Sequence, residues 1–391
     1  MAVQNLDGVA LVGARVLRSD GRLEPASIEI EDGRIARVVE GAEATAGRIR
    51  YDLAGRIVAP GMIDTHVHGR LGHHVMSATR ASVDVIGRAL LAHGTTSFVA
   101  ATATVEYGRL LGAVTGLAGL VGPVEAGAEL LGIHLEGPFL SPVRRGVHPL
   151  AHLVAPTPER LDALLEAAGA ALRICTLAPE LDGASEAIKR LVAAGVRVAA
   201  GHTDASYART AEAVAEGVTR ATHLFNGMPP VHHRKPGPVP ALLADPRVRV
   251  ELVADGVHVA PELVGVLLRA PDLRGRVMFV SDGTDVAGLA DGPHRRWEGT
   301  PVVIRGGAAT TLAGAVAGGT GTVLDGVRLA VDQGVPVEVA LAAGSHVPAD
   351  SLGLTDRGRI APGQWADLLV LTETLDIETT ILHGVVRREE S

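Results

Sequence analysis

The chain has 391 residues, 47% of them hydrophobic, and a formal net charge of −8 with no basic block. That balance argues against nucleic acid or an anionic membrane as partner. Its single cysteine, Cys175, rules out an intrachain disulfide and fits a reducing cytoplasm. Met1 to Asp7 lacks the basic and apolar regions of a signal peptide, and no uncharged apolar run is long enough to span a bilayer.

The first sixty residues read as β-structure. Val9 to Leu17 alternates loosely. Ser27 to Glu31 alternates cleanly, and Asp32-Gly33 turns it into Arg34 to Val38. Tyr51 to Val58 continues in the same style. The other end of the chain matches it, with Ala366 to Leu371 and Ile377 to Leu382. The two ends are therefore expected to form one small β-sandwich domain, residues 1–57 plus 356–391, beside a larger domain of residues 58–355.

In the larger domain, apolar strand-like runs alternate with Ala/Leu-rich helical segments, which indicates a parallel α/β architecture. Eight strands are predicted: Met62–His68, Thr96–Ala101, Leu130–Glu136, Leu172–Leu177, Val196–His202, Ala221–Leu224, Val250–Asp255 and Val277–Asp282. Helices are predicted at Ala81–His93, Pro158–Ala168, Ser185–Ala194, Tyr207–Glu216 and Pro261–Ala270. Eight such units suggest a (β/α)8 TIM-like barrel. An open doubly wound sheet is the rival, and no Gly-x-Gly-x-x-Gly follows the first strand to support it.

Chemistry-bearing residues fall at the predicted C-terminal ends of these strands. In the first, His66 and His68 are two residues apart and so share a face. Glu136 closes the third strand, His202 the fifth, His223 the sixth and Asp282 the eighth. Any one of them has an ordinary reading as a hydrogen-bonded core histidine, a paired carboxylate or a turn residue. Four histidines and two carboxylates at one rim instead suggest a site for a divalent metal, with Zn²⁺ or a similar first-row ion suited to imidazole and carboxylate donors. Cys175, His73, His74, Trp297 and Trp365 read as packing or surface residues.

The segments Pro60-Gly61-Met62-Ile63-Asp64-Thr65-His66-Val67-His68-Gly69, His134-Leu135-Glu136-Gly137-Pro138-Phe139 and Gly201-His202-Thr203-Asp204 point further. With Thr222-His223-Leu224-Phe225-Asn226-Gly227-Met228, Asp255-Gly256-Val257-His258 and Ser281-Asp282-Gly283, they resemble the N-acetylglucosamine-6-phosphate deacetylase family of the metal-dependent amidohydrolases. The resemblance runs over essentially the whole chain. It implies a main metal site at Glu136, His202 and His223, and a second at His66 and His68, for one or two ions. It implies Asp282 as general acid/base and His148 as the residue that polarises the acetyl carbonyl. Asn226, Gly227, Arg234 and His258 would hold a phosphorylated amino sugar, with the Arg234 loop reaching across a homodimer interface.

The sequence departs from the family at Gly227, where Ala is usual, and at Leu312 to Gly321, which would shape the sugar pocket. Other readings remain open: deacetylation of the galacto epimer, another amidohydrolase, or a non-catalytic relative. Dihydroorotase-like enzymes bridge two metals with a carboxylated lysine at the end of the fourth strand. Here the only lysines are Lys189 and Lys235, and neither is placed there.

Overall fold

The computed structural model describes residues 4–41 and 48–387. Residues 1–3, 42–47 and 388–391, which fall within the predicted terminal unit, lie outside the described residues. Among those described, no helix is long and apolar enough to cross a membrane.

The two chain ends meet in one hydrogen-bonded sheet of nine strands. Gln4–Asn5 pairs antiparallel with Val385–Arg387, and Ile57–Pro60 pairs antiparallel with Leu368–Leu371. The predicted hairpin forms between Leu23–Glu31 and Arg34–Glu40. Asp32 and Gly33 both adopt left-handed backbone there, at φ +50° and +72°, as a two-residue turn matched to strand twist requires. Val9, Leu11, Val16, Ile28, Ile30, Leu368 and Val370 bury together as the core of this unit. The expected run Tyr51 to Val58 is two strands instead, Ile49–Asp52 and Ile57–Pro60. The Asp52 carboxylate accepts the Ala54 N–H and turns the chain between them.

Eight parallel strands follow in sequence order: β1 (Met62–Val67), β2 (Thr95–Ala101), β3 (Gly127–Glu136), β4 (Leu172–Leu177), β5 (Arg197–Ala200), β6 (Val218–Ala221), β7 (Arg249–Leu252) and β8 (Val277–Phe279). Each pairs with the next. At the end of β1 and beyond β8, Val67 and Gly283 form a parallel bridge, and His68 N–H donates to the Gly283 carbonyl at 2.8 Å. The predicted helices are present. Pro158–Ala168 and Tyr207–Glu216 have the predicted limits, and Arg80–Ala92, Ala184–Ala193 and Pro261–Arg269 differ by a residue. Their apolar faces pack against the parallel strands in the main core. Ile63, Val99, Leu131, Ile174 and Ala199, from five successive strands, cluster instead with Ala349 and Leu352 of the helix His346–Leu352. That cluster lies on the N-terminal side of the residues that build the site.

One feature was not anticipated from the sequence. Between β8 and the helix Val323–Asp332, four antiparallel strands form a separate small sheet: Gly292–Arg295, Pro301–Arg305, Ala308–Thr311 and Val316–Gly319. Gly306-Gly307, both left-handed, turn its central hairpin, and that pair between two apolar runs is a hairpin signal.

Candidate metal centre

The strands β5, β6 and β8 end earlier than the sequence suggests, and the site residues lie in the turns just past them. His202, His223 and Asp282 have positive φ values of +46°, +27° and +48°. A side chain in left-handed backbone cannot continue a strand, so each strand stops before it. Such conformations in non-glycine residues cost energy and cluster where geometry is held for a purpose.

Around Glu136, the last residue of β3, the side chains converge. Its Oε1 lies 2.9 Å from His223 Nε2, 3.4 Å from His202 Nε2 and 3.4 Å from His66 Nε2. Its Oε2 lies 3.1 Å from His68 Nε2 and 3.5 Å from His148 Nε2. His202 and His223 approach Nε2 to Nε2 at 3.1 Å, as His66 and His68 do at 3.3 Å. Asp282 Oδ1 completes the second set, 3.3 Å from His68 Nε2 and 3.6 Å from His66 Nε2.

These residues fit a divalent ion. Donors bound tetrahedrally at the usual zinc bond lengths stand about 3.3 Å from one another, close to the spacings within Glu136, His202 and His223. Ring nitrogens that face each other in pairs need positive charge between them. Electrostatics say the same. Burial alone would push the Glu136 carboxyl up. The charge on His66 and hydrogen bonds from His148, His202 and His223 outweigh burial and hold it well below the carboxylate range. Burial likewise opposes ionisation of Asp282, but the His68 hydrogen bond and the charges of His66 and His68 hold it low. For His68 and His202, burial disfavours the cation, and their carboxylate neighbours more than compensate, so both are raised. The cluster as a whole calls for a cation, which protons or a metal can supply.

The remaining ring nitrogens are aimed by the fold. His202 Nδ1–H donates to the Arg144 carbonyl at 2.8 Å, which turns Nε2 toward Glu136. His66 Nδ1–H donates to Glu251 at 3.2 Å. His148 is pushed down to about 4, mainly by burial, so it is neutral near pH 7. Its Nδ1 lies 2.8 Å from Thr104 Oγ1.

A cavity of about 350 Å³ opens over this cluster, lined by His68, Glu136, His148, His202, His223, Asn226, Gly227, His258 and Asp282 among others. His66 is fully buried behind them. Arg234 is the exception among the expected site residues. It is exposed, in a tight turn where His232 bridges Lys235, and its guanidinium faces His233 at 2.6 Å rather than the cavity. His258 pairs with Asp255 at 2.7 Å, and its Nε2 lies 3.9 Å from Asp282, beside the reactive cluster.

Other expectations are corrected. Trp297 lines the cavity rather than simply packing: it stacks on His74 with ring centres 4.6 Å apart, and Arg109 lies 4.9 Å above its ring. His74 is buried, not on the surface. Within Leu312–Gly321, Val316 and Gly318 face the cavity, whereas Leu312 is 73% exposed at a turn. Arg109 and Glu251 carried no motif, although a carboxylate between Val250 and Leu252 in an apolar strand signals a buried charge in need of a partner.

A model of the amidohydrolase family matches residues 57–387. The chain is 33% identical over 372 residues to an N-acetylglucosamine-6-phosphate deacetylase of Vibrio furnissii, covering 95% of this chain and 92% of the relative. It is 32% identical over 372 residues to an N-acetylgalactosamine-6-phosphate deacetylase of Escherichia coli O157:H7, covering 95% and 97%. The crystal structure of N-acetyl-D-glucosamine-6-phosphate deacetylase from Mycobacterium smegmatis superposes with a TM-score of 0.89 at 37% identity, covering 96% of this chain and 99% of that one. On these matches and this arrangement of side chains, the chain belongs to the amidohydrolase family.

Proposed function

We propose that this chain is a metal-dependent deacetylase that hydrolyses the acetamide of N-acetylglucosamine 6-phosphate, giving glucosamine 6-phosphate and acetate in amino-sugar catabolism and cell-wall recycling. The observation that carries the reading is the convergence of Glu136, His66, His68, His202, His223 and Asp282 at one end of the parallel strands, beside a cavity.

Glu136, His202 and His223 are the residues proposed to hold the main ion, and His66 and His68 a second. Zinc is the proposed metal, since imidazole and carboxylate donors without a thiol suit it. When bound, such an ion lowers the pKa of a water to about 7 and polarises the amide carbonyl. Asp282 is the proposed proton carrier: its carboxylate takes a proton from the attacking water and delivers it to the departing amine nitrogen, which leaves as the C–N bond breaks. His148 is proposed to donate from Nε2–H to the carbonyl oxygen as negative charge develops there. That role requires Thr104 to donate its hydroxyl proton to His148 Nδ1, which the 2.8 Å contact allows. Asn226 and Gly227 are assigned to the sugar phosphate. Arg234, turned away from its own cavity, is assigned to the phosphate of a partner subunit in a homodimer. A guanidinium fork matches phosphate oxygens.

The same reading takes the eight parallel strands as a closed (β/α)8 barrel over residues 58–355. The terminal sheet, 1–57 plus 356–391, becomes a separate β-sandwich. The bridge between Val67 and Gly283 supports closure, and the separate apolar core of the terminal strands supports the division. A cytoplasmic setting is proposed from the single buried cysteine, Cys175.

The test is acetate release by zinc-loaded protein on N-acetylglucosamine 6-phosphate, its galacto epimer and unphosphorylated N-acetylglucosamine, side by side. Turnover that depends on the 6-phosphate is expected, with the gluco epimer preferred. The similarity to the galactosamine-type relative makes the galacto epimer the second reading. No turnover on any of the three by protein shown to hold metal would overturn the proposal.

A further inference from the structure

Beneath the ligand histidines lies a buried ion pair that the hydrolysis itself does not use. Glu251, on β7, and Arg220, on β6, are 0% and 1% exposed. Arg220 Nη2 donates to Glu251 Oε1 at 2.6 Å and to Thr65 Oγ1 at 2.8 Å, and its Nη1 donates to the Ser351 hydroxyl. The other oxygen of Glu251 accepts twice, from His66 Nδ1–H at 3.2 Å and from the His223 backbone N–H at 3.3 Å.

His66, His134 and Glu251 bring donor atoms within 4.8 Å of one another, the spacing of a metal triad. They do not read as a third ion site. His134 Nδ1 faces the Thr65 carbonyl at 3.2 Å, so it must carry the proton. Its Nε2 meets Thr176 Oγ1 at 2.7 Å. Burial pushes His134 down to about 3, so the ring is a neutral hydrogen-bonding spacer with no lone pair to spare. Glu251 is already committed to Arg220. What the triad can do is orient. A carboxylate only accepts, so Glu251 fixes the proton of His66 on Nδ1 and turns the Nε2 lone pair toward His68, Glu136 and Asp282.

We propose that Arg220 and Glu251 form a positioning pair that sets the tautomer and orientation of His66, and thereby decides whether the His66–His68 side of the centre takes an ion. Through the backbone N–H of His223, the same carboxylate holds that side in register with the Glu136–His202–His223 side. Arg220 anchors Glu251 from below through its Nη2 hydrogen bond. The inference rests on the metal assignments of the proposed function, but not on the identity of the substrate.

The test is a zinc titration of chelator-stripped protein, with bound metal read by a competing chromophoric chelator. Wild type is compared with Glu251→Gln and with the neutral pair Glu251→Gln/Arg220→Met. The neutral pair leaves no lone buried charge and supplies the measurement should the single variant fail to fold. Wild type is expected to bind two ions per chain. Both variants should retain the ion of Glu136, His202 and His223 and bind the other roughly 10–100-fold more weakly. Nitrogen-15 NMR of the histidine rings should show His66 as the Nδ1–H form in wild type and a mixture of forms in the neutral pair. Undiminished affinity for both ions in a folded neutral pair overturns the proposal, as does loss of the second ion without any change at His66. Wild type that binds one ion overturns it and leaves the deacetylase reading standing. Wild type that binds none overturns both.

Discussion

Asp282 is held ionised among histidines at the mouth of the cluster, so its carboxylate is free to accept a proton but not needed to hold Glu136, His202 and His223 together. Asp282→Asn should therefore retain the ion of Glu136, His202 and His223, measured by elemental analysis, and lower kcat by roughly 10²–10⁴-fold. Near-full turnover in the metal-loaded variant would remove Asp282 from its assigned role. Gly227 answers a different constraint. It sits at φ +64°, and a Cβ there would lie 2.7 Å from His202 Nδ1. The alanine usual at this position in the resembled family does not fit this local geometry. Gly227→Ala should lower stability by about 1–2 kcal/mol and weaken metal binding by displacing the His202 ring. Denaturant melts and a chelator competition check both, and an unperturbed variant would show that the loop relaxes freely.

At the scale of elements, the helix His346–Leu352 carries a pH-dependent part of the stability. His346 is 6% exposed, its Nε2 has no hydrogen-bond partner, and burial with the nearby charge of Arg359 pushes it down to about 4. The unfolded chain takes up this proton near pH 6.5 and the folded chain only near 4. The stability contributed is whole above about pH 6.5 and is lost as pH falls toward 4. His346→Leu should flatten that part of the profile, by up to about 1.4 kcal/mol per pH unit within the window. Urea melts at a series of pH values read the difference. An identical slope in wild type and variant would show that His346 is hydrated or partnered in the folded state.

Across the whole molecule, Ile57, Leu369 and Leu371 of the terminal sheet bury in the main core with the parallel strands, and charged groups add to that junction. Arg357 donates to Ser97 Oγ at 2.9 Å on β2, to Glu129 at 2.8 Å on β3 and to Asp356 at 3.2 Å. The Arg357 side chain is 6% exposed, and its removal leaves Glu129 with His383, at 3.5 Å, as its remaining ionic partner. Arg357→Met should cost about 1–3 kcal/mol and lower the melting temperature without changing KM. A change in KM at unchanged stability would place Arg357 in communication with the cavity instead.

Short-range information in the chain was enough for much of this. The alternation of strand and helix, the Asp32-Gly33 turn and the limits of Pro158–Ala168 follow from local propensity and periodicity, and the structure has them where expected. The candidate site residues stood out because metal-type residues fall at the ends of five of the eight predicted strands, a pattern visible without knowing any contact. The left-handed turns at His202, His223 and Asp282 were not legible, because residues with Cβ atoms adopt them only when surrounding packing forces it. Nor was the neighbourhood of Trp297, Arg109 and the four-stranded insertion, or the outward turn of Arg234. The contact of His66 with Glu251 spans 185 residues. A buried carboxylate in an apolar strand announces that it needs a partner; only the tertiary arrangement that brings side chains of β6 and β7 to His66 decides that the partners are Arg220 and that histidine.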